Sequence, residues 1–339
     1  MIKRLIQIAS IALIILGVGS PFVQAEEIGG YTIEGVPNAK QIDPDLGYFY
    51  LNEGIGAKDK LKIKLINSSD KAKKLQVKVT NANTNSNGLL DYTGNLKDNK
   101  SLKIPLTSIV KVSQSEVTVP PKSESETTLD VTMPSHRFSG VIIGGVVVSE
   151  KDEDQLPKTE TNVSVKNTYS YTIGVVLTND PKSAMKKNSS VSLEKVAPVL
   201  SDGRKIIQAD ILNPNPYIFG EAIVSGEILE KSTNKLVKKQ EKTNINIAPY
   251  SVYPFQFDWK KEDLKAGKYL FTGTVRAGGK EWRLKKAFEI TSSAAEHINE
   301  KSIYHVVIPI WLKVSMGIFI ILNVIGTAYL IIIKKRNPM

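Results

Sequence analysis

Val314–Ile333 is twenty consecutive residues without a charge, and no other feature restricts the chain so severely. At about 1.5 Å per residue a helix of that length just crosses a hydrocarbon layer of roughly 30 Å, so residues 314–333 are expected to span a membrane. Lys334, Lys335 and Arg336 follow at once, whereas Trp311 and a single Lys313 precede the run. The positive-inside rule then makes 334–339 a cytoplasmic tail and puts the long body outside.

The other end agrees. Lys3 and Arg4 introduce an apolar stretch, Leu5–Gly19, and Val23-Gln24-Ala25 offers small residues for cleavage, so residues 1–25 read as a secretory signal peptide. Without Lys3, Arg4, Lys313, Lys334, Lys335 and Arg336, the exported part keeps 39 of the 45 basic side chains against all 34 acidic ones. So mild an excess suits wall polymer or lipid headgroups, and export argues against nucleic acid as a partner class. Cysteine is absent, so the body must be held by burial alone, as is common in proteins exported by Gram-positive bacteria.

Period-two alternation dominates the first part of the body, 26–185. Leu61, Ile63 and Leu65 alternate with Lys60, Lys62 and Lys64; Leu75, Val77 and Val79 alternate with Lys74, Gln76 and Lys78; Leu129, Val131 and Met133 repeat the arrangement. Each predicts a strand with one wet face, and turn signals such as Asn67-Ser68-Ser69-Asp70 at short spacing predict a β-sandwich. Val141–Val148 is nearly all apolar and reads as a central strand buried on both faces and bent at Gly144-Gly145. Lys151–Glu160 reads as a hairpin loop, and the run Val163–Leu177 as the strand that closes this sandwich.

Residues 186–292 give seven further strand patterns, at 192–200, 205–212, 222–229, 243–247, 253–259, 269–275 and 282–290, with Ala277-Gly278-Gly279 as a hairpin turn. The expected fold class is therefore all-β: two tandem immunoglobulin-like β-sandwiches, a juxtamembrane segment at 293–313, and one transmembrane helix. Tyr253, Phe255, Phe257 and Trp259 share one strand face, a core stripe or else an exposed ligand platform. Two such domains reach about 80 to 100 Å above the bilayer.

Catalytic equipment is missing from the pattern. There is no cysteine nucleophile, no His-Glu-x-x-His, and only His136, His297 and His305. Asp43-Pro44-Asp45 and Asp152-Glu153-Asp154 could hold calcium, but neither has the alternating ligands and glycine of a calcium loop, so both read as solvated loops. No metal or cofactor is expected. The stretch Ala82–Tyr92 is the one place where composition suggests a ligand site. Asn83, Thr84, Asn85, Asn87 and Asp91 offer hydrogen bonds suited to sugar hydroxyls, and Tyr92 a stacking face. The same side chains could instead only build the turn around Asn87-Gly88.

That stretch, with Gly47-Tyr48-Phe49-Tyr50-Leu51 upstream and Met133-Pro134 to Phe138-Ser139-Gly140-Val141-Ile142-Ile143-Gly144-Gly145 downstream, resembles the first domain of the WxL-interacting protein family of Gram-positive bacteria. The resemblance implies a peptidoglycan-binding first domain, a host-binding second domain and a C-terminal anchor. The function it implies is a non-catalytic surface protein bridging wall peptidoglycan and secreted WxL-domain proteins, with host extracellular-matrix proteins as further partners. Alternatives are a wall-glycan enzyme using an acid such as Asp91, or a receptor signalling through a membrane partner.

Overall fold

The computed structural model describes residues 29–151, 169–304 and 309–336. The signal peptide, most of the 151–160 loop with Asp152-Glu153-Asp154, residues 163–168, His305 and the last residues of the tail lie outside the described residues. Two β-sandwiches and one long C-terminal helix make up the fold, and the strands follow the alternation in the sequence.

The first sandwich stacks two sheets. One has four strands: β1 (Tyr31–Gly35), β3 (Lys58–Asn67), β9 (Ser123–Thr132) and β7 (Val110–Val112), in the order β1-β3-β9-β7. The other has β2 (Phe49–Asn52), β4 (Lys73–Asn81), β8 (Glu116–Val119), β10 (Ile142–Glu150) and β11 (Ser170–Thr178), in the order β2-β11-β10-β4-β8. Leu61, Ile63, Leu65, Leu75, Val77, Leu129 and Val131 meet in the core, while Lys60, Lys62 and Lys64 point out. β11 closes the sandwich by pairing antiparallel with β10 and parallel with β2.

β10 is the middle strand of its sheet, as its composition suggested, and contacts on both faces account for its two glycines. Its ladders with β4 and β11 run through Gly144 and Gly145 without a register shift. A Cβ on Gly144 would stand 2.1 Å from the Thr80 carbonyl oxygen and 2.5 Å from Leu106 of the short helix α1 (Leu106–Ile109). One on Gly145 would meet Tyr92 at 2.9 Å. Close cover on both faces requires glycine here.

The second sandwich has the seven expected strands. β12 (Ser192–Ser201), β13 (Arg204–Leu212) and β16 (Val252–Asp258) form one sheet in that order. β15 (Leu236–Ile247), β14 (Phe219–Glu230), β17 (Gly267–Ala277) and β18 (Lys280–Ile290) form the other. The aromatic stripe is core: Tyr253, Phe255 and Phe257 are fully buried and Trp259 nearly so. Phe257 makes edge-to-face contacts with Phe255 at 5.0 Å and Phe271 at 6.0 Å. Gly226 leaves room for all three rings, since a Cβ there would stand about 3 Å from each.

The first part of the expected juxtamembrane segment, 293–301, belongs to helix α2 (Ser292–Lys301). Thr291 caps it by accepting from the Ala294 N–H at 3.2 Å, and Ala295 and Ile298 bury into the sandwich core. Helix α3 (Ile310–Arg336) contains the expected span, and Ile310–Tyr329 is long and apolar enough to cross a membrane, with none of that window buried against the protein.

Candidate functional site: the junction between the sandwiches

The two sandwiches meet end to end over a small apolar cluster: Ala82, Val141, Ile143 and Val176 from the first, Ile218 and Ala248 from the second. Around it the chain makes direct backbone contacts. The Val141 N–H donates to Pro216 O at 2.9 Å, and the Asn246 N–H to Gly88 O at 2.8 Å. Gly140, with φ +76°, sits so close that a Cβ would lie 2.0 Å from Pro216 O. Asn213, fully buried, ties its own loop by donating from Nδ2 to Tyr217 O, Ile247 O and Ala248 O.

The stretch 82–92 is part of this junction, and most of its polar atoms are engaged inside the protein. β5 (Asn83–Thr84) pairs with β6 (Leu90–Asp91) as a small hairpin. Thr84 Oγ1 accepts from the Ala248 N–H at 2.9 Å and bonds Ser251 Oγ at 3.1 Å, both buried. Asn83 Nδ2 and Asn81 Nδ2 donate to the two carboxylate oxygens of Asp98, at 2.9 and 2.6 Å. Asn85 Oδ1 accepts from the Asn87 and Leu89 N–H groups, and Asp91 Oδ1 from the Thr93 N–H and hydroxyl. Tyr92 packs against the apolar cluster, and burial pushes its hydroxyl up to about 12. Of the six candidate ligand residues only Asn87 is exposed.

Two depressions flank the junction. The first is a cleft of about 530 Å³. The first sandwich supplies Lys103, His136, Arg137 and Phe138; the second supplies Pro214, Pro216, Pro249 and Tyr250. Lys103 Nζ lies 5.7 Å from the centre of the Tyr250 ring, a cation–π contact across the junction. Ser101 Oγ donates to Tyr250 O at 3.4 Å, and burial raises the Tyr250 hydroxyl. Among the described residues no carboxylate lines this cleft, so it is suited to an anionic or hydroxyl-rich ligand.

The second depression is wider, about 730 Å³, and is lined by Asn83, Thr84, Lys97, Asp98, Asn99 and Lys100 opposite Glu194, Gln208 and Asp210. Asn99 Nδ2 bridges it to Glu194 Oε2 at 2.9 Å. Burial, with a contribution from Glu194, raises the Asp210 carboxyl above the usual range. Asp43 and Asp45 close a turn through the Asp45 N–H, which donates to Asp43 Oδ1 at 3.0 Å. Among the described residues no group of three or more His, Cys, Asp or Glu is placed to hold a metal.

Two family models match, and both belong to one family. Residues 31–150 match the peptidoglycan binding domain of the WxL Interacting Protein, and residues 160–300 its host binding domain. The chain belongs to the WxL-interacting protein family. Both matched domains are binding domains, and the order is that implied by the sequence motifs. The second match begins at residue 160 although β11, at 170–178, is hydrogen-bonded into the first sandwich. The ladder is the better guide to the physical unit, because removing β11 would strip β10 of a partner and cut β2 off from the sheet.

No curated relative matches the sequence. Similar solved structures include the YadV chaperone (12% identity, 77% of this chain and 100% of that one, TM-score 0.29) and the E. coli chaperone DraB (14%, 77% and 98%, 0.28). The Pseudomonas aeruginosa CupB2 chaperone is a third (12%, 68% and 92%, 0.25). At these scores the likeness carries no argument about this chain.

Lys103, Arg137 and Tyr250 were not picked out as a site from the sequence. The signal available was the motif 133–145, whose glycine and apolar residues seat the loop that carries His136 and Arg137.

Proposed function

We propose that the protein is a non-catalytic bridge at the cell surface: α3 anchors it, the body lies outside, and the first sandwich grips peptidoglycan in the Lys103–Arg137–Tyr250 cleft. The observation that carries this reading is the lining of that cleft. Two exposed cations and a half-buried ring line one space in which no carboxylate lies among the described residues, which suits the carboxylates of the peptide stems and the apolar faces of the sugars. The second sandwich takes the protein partner, a secreted WxL-domain protein, through its sheet edges. Host contact is secondary, because the reach of two sandwiches keeps the body within the wall. Lys334, Lys335 and Arg336 after the span support a cytoplasmic tail.

Sedimentation with purified wall tests the cleft. Arg137→Ala with Tyr250→Ala is expected to weaken binding about tenfold or more. Unchanged binding would overturn the cleft assignment, and soluble sugar released by the intact protein would overturn the non-catalytic reading.

A further inference from the structure

The far end of the second sandwich meets the span with almost no slack. Asn299 fixes α2 to the 259–266 connection: the Leu264 N–H donates to its Oδ1 at 2.9 Å, and its Nδ2 donates to Leu264 O at 3.0 Å. Beyond the helix, Ser302 Oγ donates to Gly203 O at 3.0 Å and the Ile303 N–H to the same oxygen at 2.9 Å. The fixed chain thus extends through Ile303, and α3 begins at Ile310. The seven links between them reach about 25 Å at most, no more than a sandwich is wide.

Strand direction gathers four segments at this end: the β12–β13 turn, the β14–β15 turn, the 259–266 connection and α2. They carry Lys231, Lys235, Lys260, Lys261, Lys265 and Lys301, all exposed and none in an ion pair with a described carboxylate. The acids here are mostly matched within the domain. Asp202 and Asp258 face Arg204, Asp263 faces the buried Lys205, and Glu262 faces Lys238. The exceptions are Glu230, which accepts from the Thr233 hydroxyl, and the exposed Glu289, Glu296 and Glu300, so unmatched lysines outnumber unmatched acids at this end. Leu200, Ile303 and Tyr304 are exposed at the same end, Ile303 by 65%.

We propose that this end of the second sandwich lies on the bilayer itself, its lysines against anionic headgroups and Leu200, Ile303 and Tyr304 at the headgroup boundary. The inference rests on reading α3 as the membrane anchor. Juxtamembrane lysines gain from an anionic surface, and apolar side chains beside them enter the interface. The body then stands at a fixed angle on the membrane, with the interdomain cleft at the opposite end of the second sandwich, instead of swinging on a tether.

The chain has no cysteine, so single labelling sites can be introduced into the full-length protein. A nitroxide at Ser232→Cys, in the β14–β15 turn, is compared with one at Ser135→Cys beside the cleft, in vesicles of phosphatidylcholine with or without phosphatidylglycerol. Collisions of the Ser232→Cys label with a water-soluble relaxant are expected to fall about threefold in the anionic vesicles, and those at Ser135→Cys to stay constant. Lys260→Glu with Lys261→Glu and Lys265→Glu should reverse the protection; so should roughly 1 M salt on the unmutated body, which needs no altered fold. A Ser232→Cys label as accessible as Ser135→Cys in both lipids overturns the proposal while leaving the anchor standing. Failure of the chain to float with vesicles overturns both.

Discussion

Residues 82–92 and residues 134–141 both leave the first sandwich toward the second, and both are rich in polar side chains. The first stretch turns nearly all its hydrogen-bonding atoms onto the protein: Thr84 to Ala248 and Ser251, Asn83 to Asp98, Asn85 and Asp91 to their own turns. The second is held by its backbone, through Gly140 and Val141 against Pro216, and leaves His136 and Arg137 in water beside a cleft. A polar loop is free to bind something else only when other atoms hold it in place. Backbone anchoring in 134–141 does that; side-chain anchoring in 82–92 uses up what a ligand would need.

The comparison breaks most severely at Gly140. An alanine there would have to occupy a left-handed conformation with its Cβ 2.0 Å from a backbone oxygen of the other domain. Gly140→Ala is therefore expected to cost on the order of 3 kcal/mol and to split one cooperative unfolding transition into two, measured by chemical denaturation. A single transition at the native midpoint would mean that the domains are not joined through this contact.

Thr84→Val is the next test. It keeps the shape but removes the acceptor, leaving the buried Ala248 N–H and Ser251 hydroxyl without this partner, for a loss of about 1 to 3 kcal/mol. Asn87→Ala, in the same hairpin but pointing into solvent, should change stability by less than about 0.5 kcal/mol. If wall binding fell with Asn87→Ala and not with Arg137→Ala, the roles given to the two loops would be reversed.

Strand existence was readable from residues such as Leu61, Ile63 and Leu65, because a half-buried strand must alternate. The first half of β15 was not, since Leu236 to Lys242 lies on an exposed edge where three lysines, a glutamine and a glutamate hide the period. α2 was hidden for a related reason: only Ala295 and Ile298 of its ten residues are buried, too few to show helical spacing. The hairpin 82–92 looked like a ligand loop because asparagine and threonine have the same composition whether they face a sugar or a second domain. Lys103, Arg137 and Tyr250 could not be grouped at all, for they come from three distant segments that only the docking of the sandwiches brings together.

The smallest effect separates the two depressions by charge. Burial raises the Asp210 carboxyl in the wider one, so between the ordinary aspartate value and the raised one the folded chain holds a proton that the unfolded chain has released. The stability contributed by that proton is fully present below the ordinary value, near pH 3.9, and is lost as pH rises through the raised one. Asp210→Asn keeps an oxygen for the Gln208 Nε2 donor, now at 2.8 Å, without the buried charge. It should therefore stabilise the protein at pH 7 by roughly 0.5 kcal/mol or less, solvent screening limiting the gain, and show no benefit near pH 3. The opposite ordering of the two pH values in denaturant unfolding would mean that a cation, not burial, governs the group, and that this depression is as electropositive as the cleft at Arg137.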